Sequence, residues 1–515
     1  MSLKLDWERI PPAPALHEPR SSLDVDLDLT GPRSLHQLIN LSISQEGSQR
    51  LADWLTHPDA DLTSIENRQK IVRELSGMVR FRDRMLLDLR LVSGEILQGK
   101  QLLDWLSTPI SARQLGWLLP VAVILTMTNG ILFWLNMLGY IPAYWPFTLA
   151  IYAVFYLTNG NNLSEFLSAI VDLDRELEKF SRILRHLETY PLSHQPHTAS
   201  LCKIFRQPDE LPSVELKRIK WVTAAVGLRM NPVLGFLINL ALPWDFAIAL
   251  LASRLRQRAA RYLPAWLETW YQLEALISLA NLAYLNPEYT FPDISTSLNS
   301  ILHGIGIGHP LIPREQKVCN DITLPEPGQV IIITGSNMAG KSTFIKTVGI
   351  NLCLAYAGGP VDATLLQLQL FRLHTCMRIT DSLSDGYSYF YAEVKCLKKL
   401  LEGLHQEDPR PLLYLVDEIY RGTNNRERLA GSRALVRALA GAPGVGLIAT
   451  HDLELTALAA DIPQVQNYHF RDQVQDGRLV FDYKLQPGPC TTSNALKIMG
   501  MEGLPTEETT STMVE

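Results

Sequence analysis

The rhythm of apolar positions changes along the chain. From Leu27 to about Leu106 apolar residues recur at spacings of three and four: Leu35, Leu38, Ile39 and Ile43, then Leu51, Trp54 and Leu55. That spacing predicts amphipathic helices. Thr30, Gly31 and Pro32 mark a helix start, and Asp61 to Leu103 reads as a charged amphipathic helical stretch. The Pro-rich residues 1–22 are expected to be irregular.

Between Arg113 and Glu165 there is no charged residue. Leu115 to Leu138 is uncharged, mostly apolar and long enough to cross a hydrocarbon layer of about 30 Å as a helix. Gly139 to Pro142 form an uncharged turn, and a second apolar run follows from Ala143 to Thr158. Tyr144, Trp145, Tyr152 and Tyr156 are candidate interface anchors. The pattern predicts a transmembrane hairpin over residues 115–158. The alternative is an apolar helical pair in a soluble core, but a surface helix keeps a polar stripe and these runs have none. Arg113 precedes the hairpin and Arg175, Lys179, Arg182 and Arg185 follow it, so both flanks are expected on the cytoplasmic side.

Residues 164–194 again read as an amphipathic helix. A third apolar segment, Pro232 to Ala252, contains Pro243 and Asp245. A charge at mid-membrane depth is costly, so this segment is expected not to span; it lies at the interface, packs in the helical domain, or dips in and returns. Arg254, Arg256, Arg258 and Arg261 follow it and face either anionic headgroups or solvent.

After about Leu285 the texture becomes α/β. Val330–Thr334, Leu412–Val416 and Val445–Ala449 are short buried-strand patterns alternating with helical stretches. The expected organisation is an irregular N-terminus (1–22), an all-α domain (23–290) interrupted by the hairpin and by 232–252, an α/β P-loop domain (291–505) and a disordered tail (506–515). No internal repeat is visible.

Composition narrows the classes. The 515 residues carry a net charge of -6, which argues against coating nucleic acid through a globally basic surface. The six cysteines, at 202, 319, 353, 376, 396 and 490, have no metal-ligand or redox spacing, and reduced thiols are expected. The charged, Pro-containing start does not read as a signal peptide.

The candidate chemistry begins at Gly335-Ser336-Asn337-Met338-Ala339-Gly340-Lys341-Ser342-Thr343. It fits GxxxxGK[ST] after an apolar strand and before a helix. Glycines let the backbone wrap and aim N–H groups at phosphate oxygens, and the helix N-terminus favours negative charge. Lys341 reaches the β and γ phosphates of ATP and the Ser342 hydroxyl ligates Mg²⁺ in this reading. The strand Leu412–Val416 ends in Asp417-Glu418, a Walker B pattern. Asp417 is expected to hold Mg²⁺, directly or through water, and Glu418 to orient or deprotonate the attacking water. Leu447 to Asp452 is another apolar strand ending in polar residues, where His451 senses the γ-phosphate or fixes the water.

Together these motifs resemble the MutS family of ATPases. TGSNMAGKST is very similar to the family's P-loop, with Asn337 and Met338 characteristic. DEIYRGTNNRER (Asp417 to Arg428), ATHDLELT (Ala449 to Thr456), RITDSLSDGYSYFYAEV (Arg378 to Val394), GHPLI (Gly308 to Ile312) and the closing Tyr483 to Pro505 also resemble family segments. The likeness covers roughly residues 300–505 well, and Leu29 to Leu55 more weakly resembles the start of the family's helical core. The resemblance implies a nucleotide-bridged homodimer in which Ser388, flanked by Gly386, Phe390 and Glu393, contacts the partner's nucleotide. The mismatch-reading and connector domains of bacterial MutS, with their Phe-x-Glu wedge, and a C-terminal helix-turn-helix are expected to be missing, since the first 22 residues leave them no room and none is seen after residue 505. The hairpin falls roughly where the family's clamp would be.

The expectation is therefore a truncated MutS-like ATPase using ATP and Mg²⁺. It is expected at the membrane through 115–158, with the ATPase domain in the cytoplasm and double-stranded DNA as a partner at family level. An alternative is a membrane-anchored mechanochemical ATPase that does not recognise mismatches. An ABC-type transporter ATPase fits less well, because no LSGGQ-like signature precedes the Walker B strand.

Overall fold

The fold is described from a computed structural model. It describes residues 5–14, 16, 21–57, 61–92, 103, 112–229, 235, 238–239, 242–295, 300–336, 338–378, 389–420, 423–475 and 478–490. Ser388, Asn337 and the tail 506–515 lie outside the described residues. The helices of two turns or more are α1 (Gln45–Thr56), α2 (Leu62–Gly77), α3 (Val79–Val92), α4 (Ala112–Met137), α5 (Trp145–Thr189), α6 (Pro212–Arg229), α7 (Trp244–Leu285), α8 (Lys341–Tyr356), α9 (Tyr389–Leu404) and α10 (Asn425–Leu439). The strands are β1 (Asp293–Ile294), β2 (Leu302–Ile307), β3 (Asn320–Leu324), β4 (Val330–Thr334), β5 (Leu365–Leu368), β6 (Arg372–Cys376), β7 (Leu412–Asp417), β8 (Gly444–Ala449), β9 (Val465–Gln475) and β10 (Arg478–Pro487).

The chain divides into two compact units at places other than the expected boundary at residue 290. One unit comprises residues 1–41, 48–77 and 275–515; the other comprises 42–47 and 78–274. Helical periodicity shows which face of a segment is buried but not what covers it, so the early helices could not be assigned from spacing alone. Polar contacts tie the N-terminal segment to the α/β unit. Asp26 accepts hydrogen bonds from the backbone N–H of Met377 (3.1 Å) and Arg378 (2.7 Å), and Asp28 pairs with Lys346 at 3.0 Å. The helix start expected at Thr30 is instead at Ser34, whose side chain caps Leu35–Ile39, while the Thr30 backbone N–H donates to Asp24.

In the α/β unit, the six-stranded sheet has the order β10-β9-β4-β8-β7-β6. Strands β9, β4, β8, β7 and β6 run parallel, and β10 is antiparallel to β9. Every residue of β4 and β8 is buried, as expected for parallel strands covered on both faces. Leu397, Leu400 and Leu404 of α9 and Leu435, Val436 and Leu439 of α10 pack with them in one core. A smaller four-stranded sheet, β1-β5-β2-β3, belongs to the same unit.

In the helical unit, α4 and α5 form a helical hairpin. Thr148 of α5 donates to Asn129 of α4 at 3.0 Å, Phe133 meets Trp145 edge-on with ring centroids 5.5 Å apart, and Gly139 turns at φ 76°. Gly116–Met137 is the stretch long and apolar enough to cross a membrane among the described residues, and only 11% of it is buried. The second apolar run does not end as a separate helix; it continues without a break into the charged half of α5. The described part of the third apolar segment packs on this helix: Tyr152 donates to the Asn239 carbonyl (2.9 Å) and Tyr156 to Asp245 (2.6 Å).

Glu274 is a buried carboxyl of this unit. It accepts from the backbone N–H of Ile43 at 3.0 Å and from the Ser44 hydroxyl, and a Cβ on Gly47 would sit 2.1 Å from its oxygen. Burial pushes its pKa from 4.5 up to about 7. The folded state thus holds the proton more tightly than the unfolded chain, and this group's contribution to stability declines as pH rises from 4.5 through about 7. The loss is at most about 3 kcal/mol. Glu274→Gln should flatten this part of the stability profile, read as the difference between variant and wild-type melting temperatures in detergent at acidic and mildly alkaline pH. Parallel profiles would assign the charge no such role.

Candidate nucleotide site

Parallel pairing of β4 with β8 and of β8 with β7 brings their C-terminal ends to one edge of the sheet. Ile333 is opposite Ala449, and Ala449 is opposite Asp417. The residues that follow these strands, Gly335 onward, Thr450-His451 and Glu418, therefore emerge side by side. Ligands of open parallel sheets bind at this edge.

The loop after β4 wraps as its glycines require. Gly335 has φ 148°, and a Cβ there would meet the Phe470 carbonyl oxygen at 2.9 Å. Gly340, at φ 106°, caps the N-terminus of α8. Met338 also takes a positive φ of 72° and is exposed. Lys341 is buried, and its Nζ donates to the carbonyls of Gly335 (2.7 Å) and Ser336 (2.9 Å). Its ammonium is thus folded back over the loop that its backbone helps to form.

A cavity of about 550 Å³ opens over this loop. Ser336, Met338, Gly340, Lys341, Ser342 and Thr343 line it, and so does Glu418. Glu418 lies 77 positions after Lys341 in sequence, and the sheet brings it to the same wall. Ala339 is buried within the loop, and Asp417 ends β7 beside Glu418.

Glu418 is held in an uncommon backbone state. Its φ is +63° and that of Tyr420 is +58°, conformations costing about 1 kcal/mol or more for residues with a Cβ. The Glu418 backbone N–H donates to the Ala449 carbonyl at 2.9 Å, and the Tyr420 N–H donates to the buried Glu393 carboxylate of α9. His451 Nδ1 lies 3.2 Å from Glu418 Oε1. His451 therefore reaches the cavity through Glu418. The next residue, Asp452, is fixed by Arg428 of α10 through bonds of 3.0 and 2.8 Å.

Part of the cavity wall was not visible in the motifs. Ile307, His309, Ile312, Lys317, Asn320, Phe470 and Tyr483 also line it. Asn351 of α8 anchors the approach by donating to the Gly308 carbonyl at 2.9 Å and accepting from the Asp362 N–H at 2.7 Å. Asp362 in turn pairs with Lys317 at 2.7 Å. Burial lowers the His309 pKa to about 4, so the ring is neutral; its Nδ1 accepts from the Leu311 N–H at 3.2 Å. The GHPLI segment was the signal for this wall, but spacing could not show that it faces the phosphate loop.

Among the described residues no group of three or more His, Cys, Asp or Glu could hold a metal by itself. Ser342 and Asp417 offer one hydroxyl and one carboxylate. Such hard oxygen donors fit Mg²⁺, which takes few protein ligands and fills its shell from phosphates and water. None of the six cysteines forms a disulfide.

The protein-family model that matches the chain is MutS domain V, over residues 331–513. Residues 331–513 thus carry a MutS domain V. Among the similar proteins, DNA mismatch repair protein MutS of Chloroflexus aurantiacus is 36% identical over 244 residues, 46% of this chain and 24% of that protein. DNA mismatch repair protein MutS of Thermus thermophilus is 34% identical over 259 residues, 49% of this chain and 30% of that protein. DNA mismatch repair protein MutS 2 of Halobacterium salinarum is 33% identical over 258 residues, 49% of this chain and 28% of that protein. The chain thus spans about a quarter of the length of these relatives. The matched domain is an α/β P-loop domain of ATP-binding type.

The geometry makes Gly335 the least replaceable point of this MutS-type loop. Gly335→Ala should lower ATP affinity about tenfold or more, roughly 1.4 kcal/mol, in a titration with a fluorescent ATP analogue. Affinity equal to wild type would show that the cradle does not depend on this turn.

Proposed function

We propose that the chain hydrolyses ATP with Mg²⁺ at the cavity over Gly335–Thr343, as a MutS-type ATPase held at a membrane by the α4–α5 hairpin. The observation that carries the hydrolytic reading is that Glu418 and the phosphate loop line one cavity. The backbone N–H groups after Gly335 and the α8 N-terminus receive the phosphates. Lys341 exchanges its carbonyl partners for phosphate oxygens. Ser342 and Asp417 hold Mg²⁺, which neutralises charge on the β and γ phosphates. Glu418 orients the attacking water and accepts its proton, while His451, 3.2 Å away, positions the carboxylate.

By resemblance two copies close on ATP, with Ser388 of one reaching the γ-phosphate of the other. Glu393 supports a link between that segment and the hydrolytic turn, because the helix that follows Ser388 bonds the Tyr420 N–H. Several relatives are DNA mismatch repair proteins, and duplex DNA is the partner their names suggest for this chain. Exposure of the hairpin favours the membrane reading. Trp134, Tyr140 and Phe147 are 66%, 75% and 72% exposed, whereas a soluble core would cover such side chains.

Glu418→Gln should leave ATP binding intact and reduce turnover about 100-fold or more, measured by phosphate release alongside nucleotide titration; normal turnover would remove the residue from the reaction. Mixing Ser388→Ala with Lys341→Ala subunits tests the contact in trans, since each copy retains one half of the composite site. Deletion of residues 115–157 should move the chain from the membrane to the soluble fraction on cell fractionation. Recovery of the intact chain as a soluble protein would end the membrane reading.

A further inference from the structure

The helical unit contains a second cleft, of about 900 Å³, lined by Arg80, Arg84, Arg182, Arg185 and Lys220. Arg80 and Arg84 are one turn apart on α3, and Arg182 and Arg185 are one turn apart on α5. Like charges at these spacings destabilise a helix, so folding alone does not favour them. The seam that carries them is rigidly packed. Phe81 of α3 stacks on His186 of α5 with ring centroids 5.1 Å apart and meets Tyr190 edge-on at 4.9 Å. This contact brings the two arginine pairs to one cleft. Of the acids nearby, Glu178 pairs with Lys220 at 3.0 Å, and Glu188 accepts from Ser213. Arg80, Arg182 and Arg185 have no acidic partner among the described residues.

We propose that this cleft binds a small soluble anion carrying two or more phosphate groups. Guanidinium forks suit phosphate oxygens. The size fits: pockets for small ligands span about 300–1,000 Å³. Arg182 and Arg185 lie about 5 Å apart along α5, and Arg80 and Arg84 about 6 Å apart along α3, a footprint for a few clustered phosphates. A long polyanion would instead meet a protein of net charge -6, which repels it outside the cleft. Lipid headgroups are too far away under the membrane placement proposed above, on which this exclusion rests. From Thr158, where the apolar run ends, to Arg182, α5 rises about 36 Å.

The test uses the full chain in zwitterionic lipid nanodiscs. A Lys341→Ala background without Mg²⁺ keeps the probe from the nucleotide site. Calorimetric titration with inorganic tripolyphosphate should show one saturable site. Its affinity should fall about tenfold or more in Arg182→Gln/Arg185→Gln and be largely retained in Arg182→Lys/Arg185→Lys. ATP binding by the Gln variant with Lys341 restored should be unchanged, which separates this cleft from the nucleotide reading. Absence of saturable binding, or binding insensitive to the Gln substitutions, would overturn the proposal. So would a 30-base-pair duplex, or vesicles containing phosphatidylglycerol, binding through the same arginines while tripolyphosphate does not.

Discussion

The nucleotide site depends on parallel pairing between three buried strands. Ile333 opposite Ala449, and Ala449 opposite Asp417, set the ends of β4, β8 and β7 at one edge. A one-residue slip in any of these strands would turn its alternate side chains to the other face and carry its terminal polar group away from the loop. Because both faces of β4 and β8 are buried, such a slip would also disrupt the packing of α9 and α10. Stability of the core and alignment of the site are therefore the same constraint.

The turn after β7 adds local strain to that frame. Positive φ at Glu418 and Tyr420 persists because each neighbouring N–H has a fixed acceptor: the Ala449 carbonyl for Glu418 and the Glu393 carboxylate for Tyr420. One acceptor comes from the sheet and the other from α9. The direction of the Glu418 side chain is thus set jointly by the core strand beside it and by the helix that follows the Ser388 segment. A change in α9 has a direct physical route to the proposed catalytic carboxylate.

The helical unit follows a different principle. In α4 and the start of α5 the apolar surface turns outward, and polar groups within the pair bond one another, as Thr148 does with Asn129. Internal satisfaction of polar groups is what a low-dielectric surrounding requires. Farther along α5 the pattern inverts: aromatic rings are packed inside and arginines line an open cleft. One continuous helix therefore passes from an outward apolar surface to one whose arginines line a cleft.

Much of the nucleotide site was legible in the sequence. The three strand patterns match β4, β7 and β8 to within a residue at each end, since buried parallel strands leave short apolar runs that polar residues terminate. Gly335, Gly340, Lys341 and the pair at 417–418 stand out as candidates in the sequence because the chemistry of a phosphate cradle permits few substitutes. Tertiary structure decided the remainder. It alone placed Glu418 on the wall of the loop's cavity, His451 against Glu418, His309 and Tyr483 across from the loop, and residues 1–41 with the α/β unit. Each of these depends on which distant segments share a surface. Local periodicity records that a face is buried, whereas the identity of its partner is a property of the folded chain.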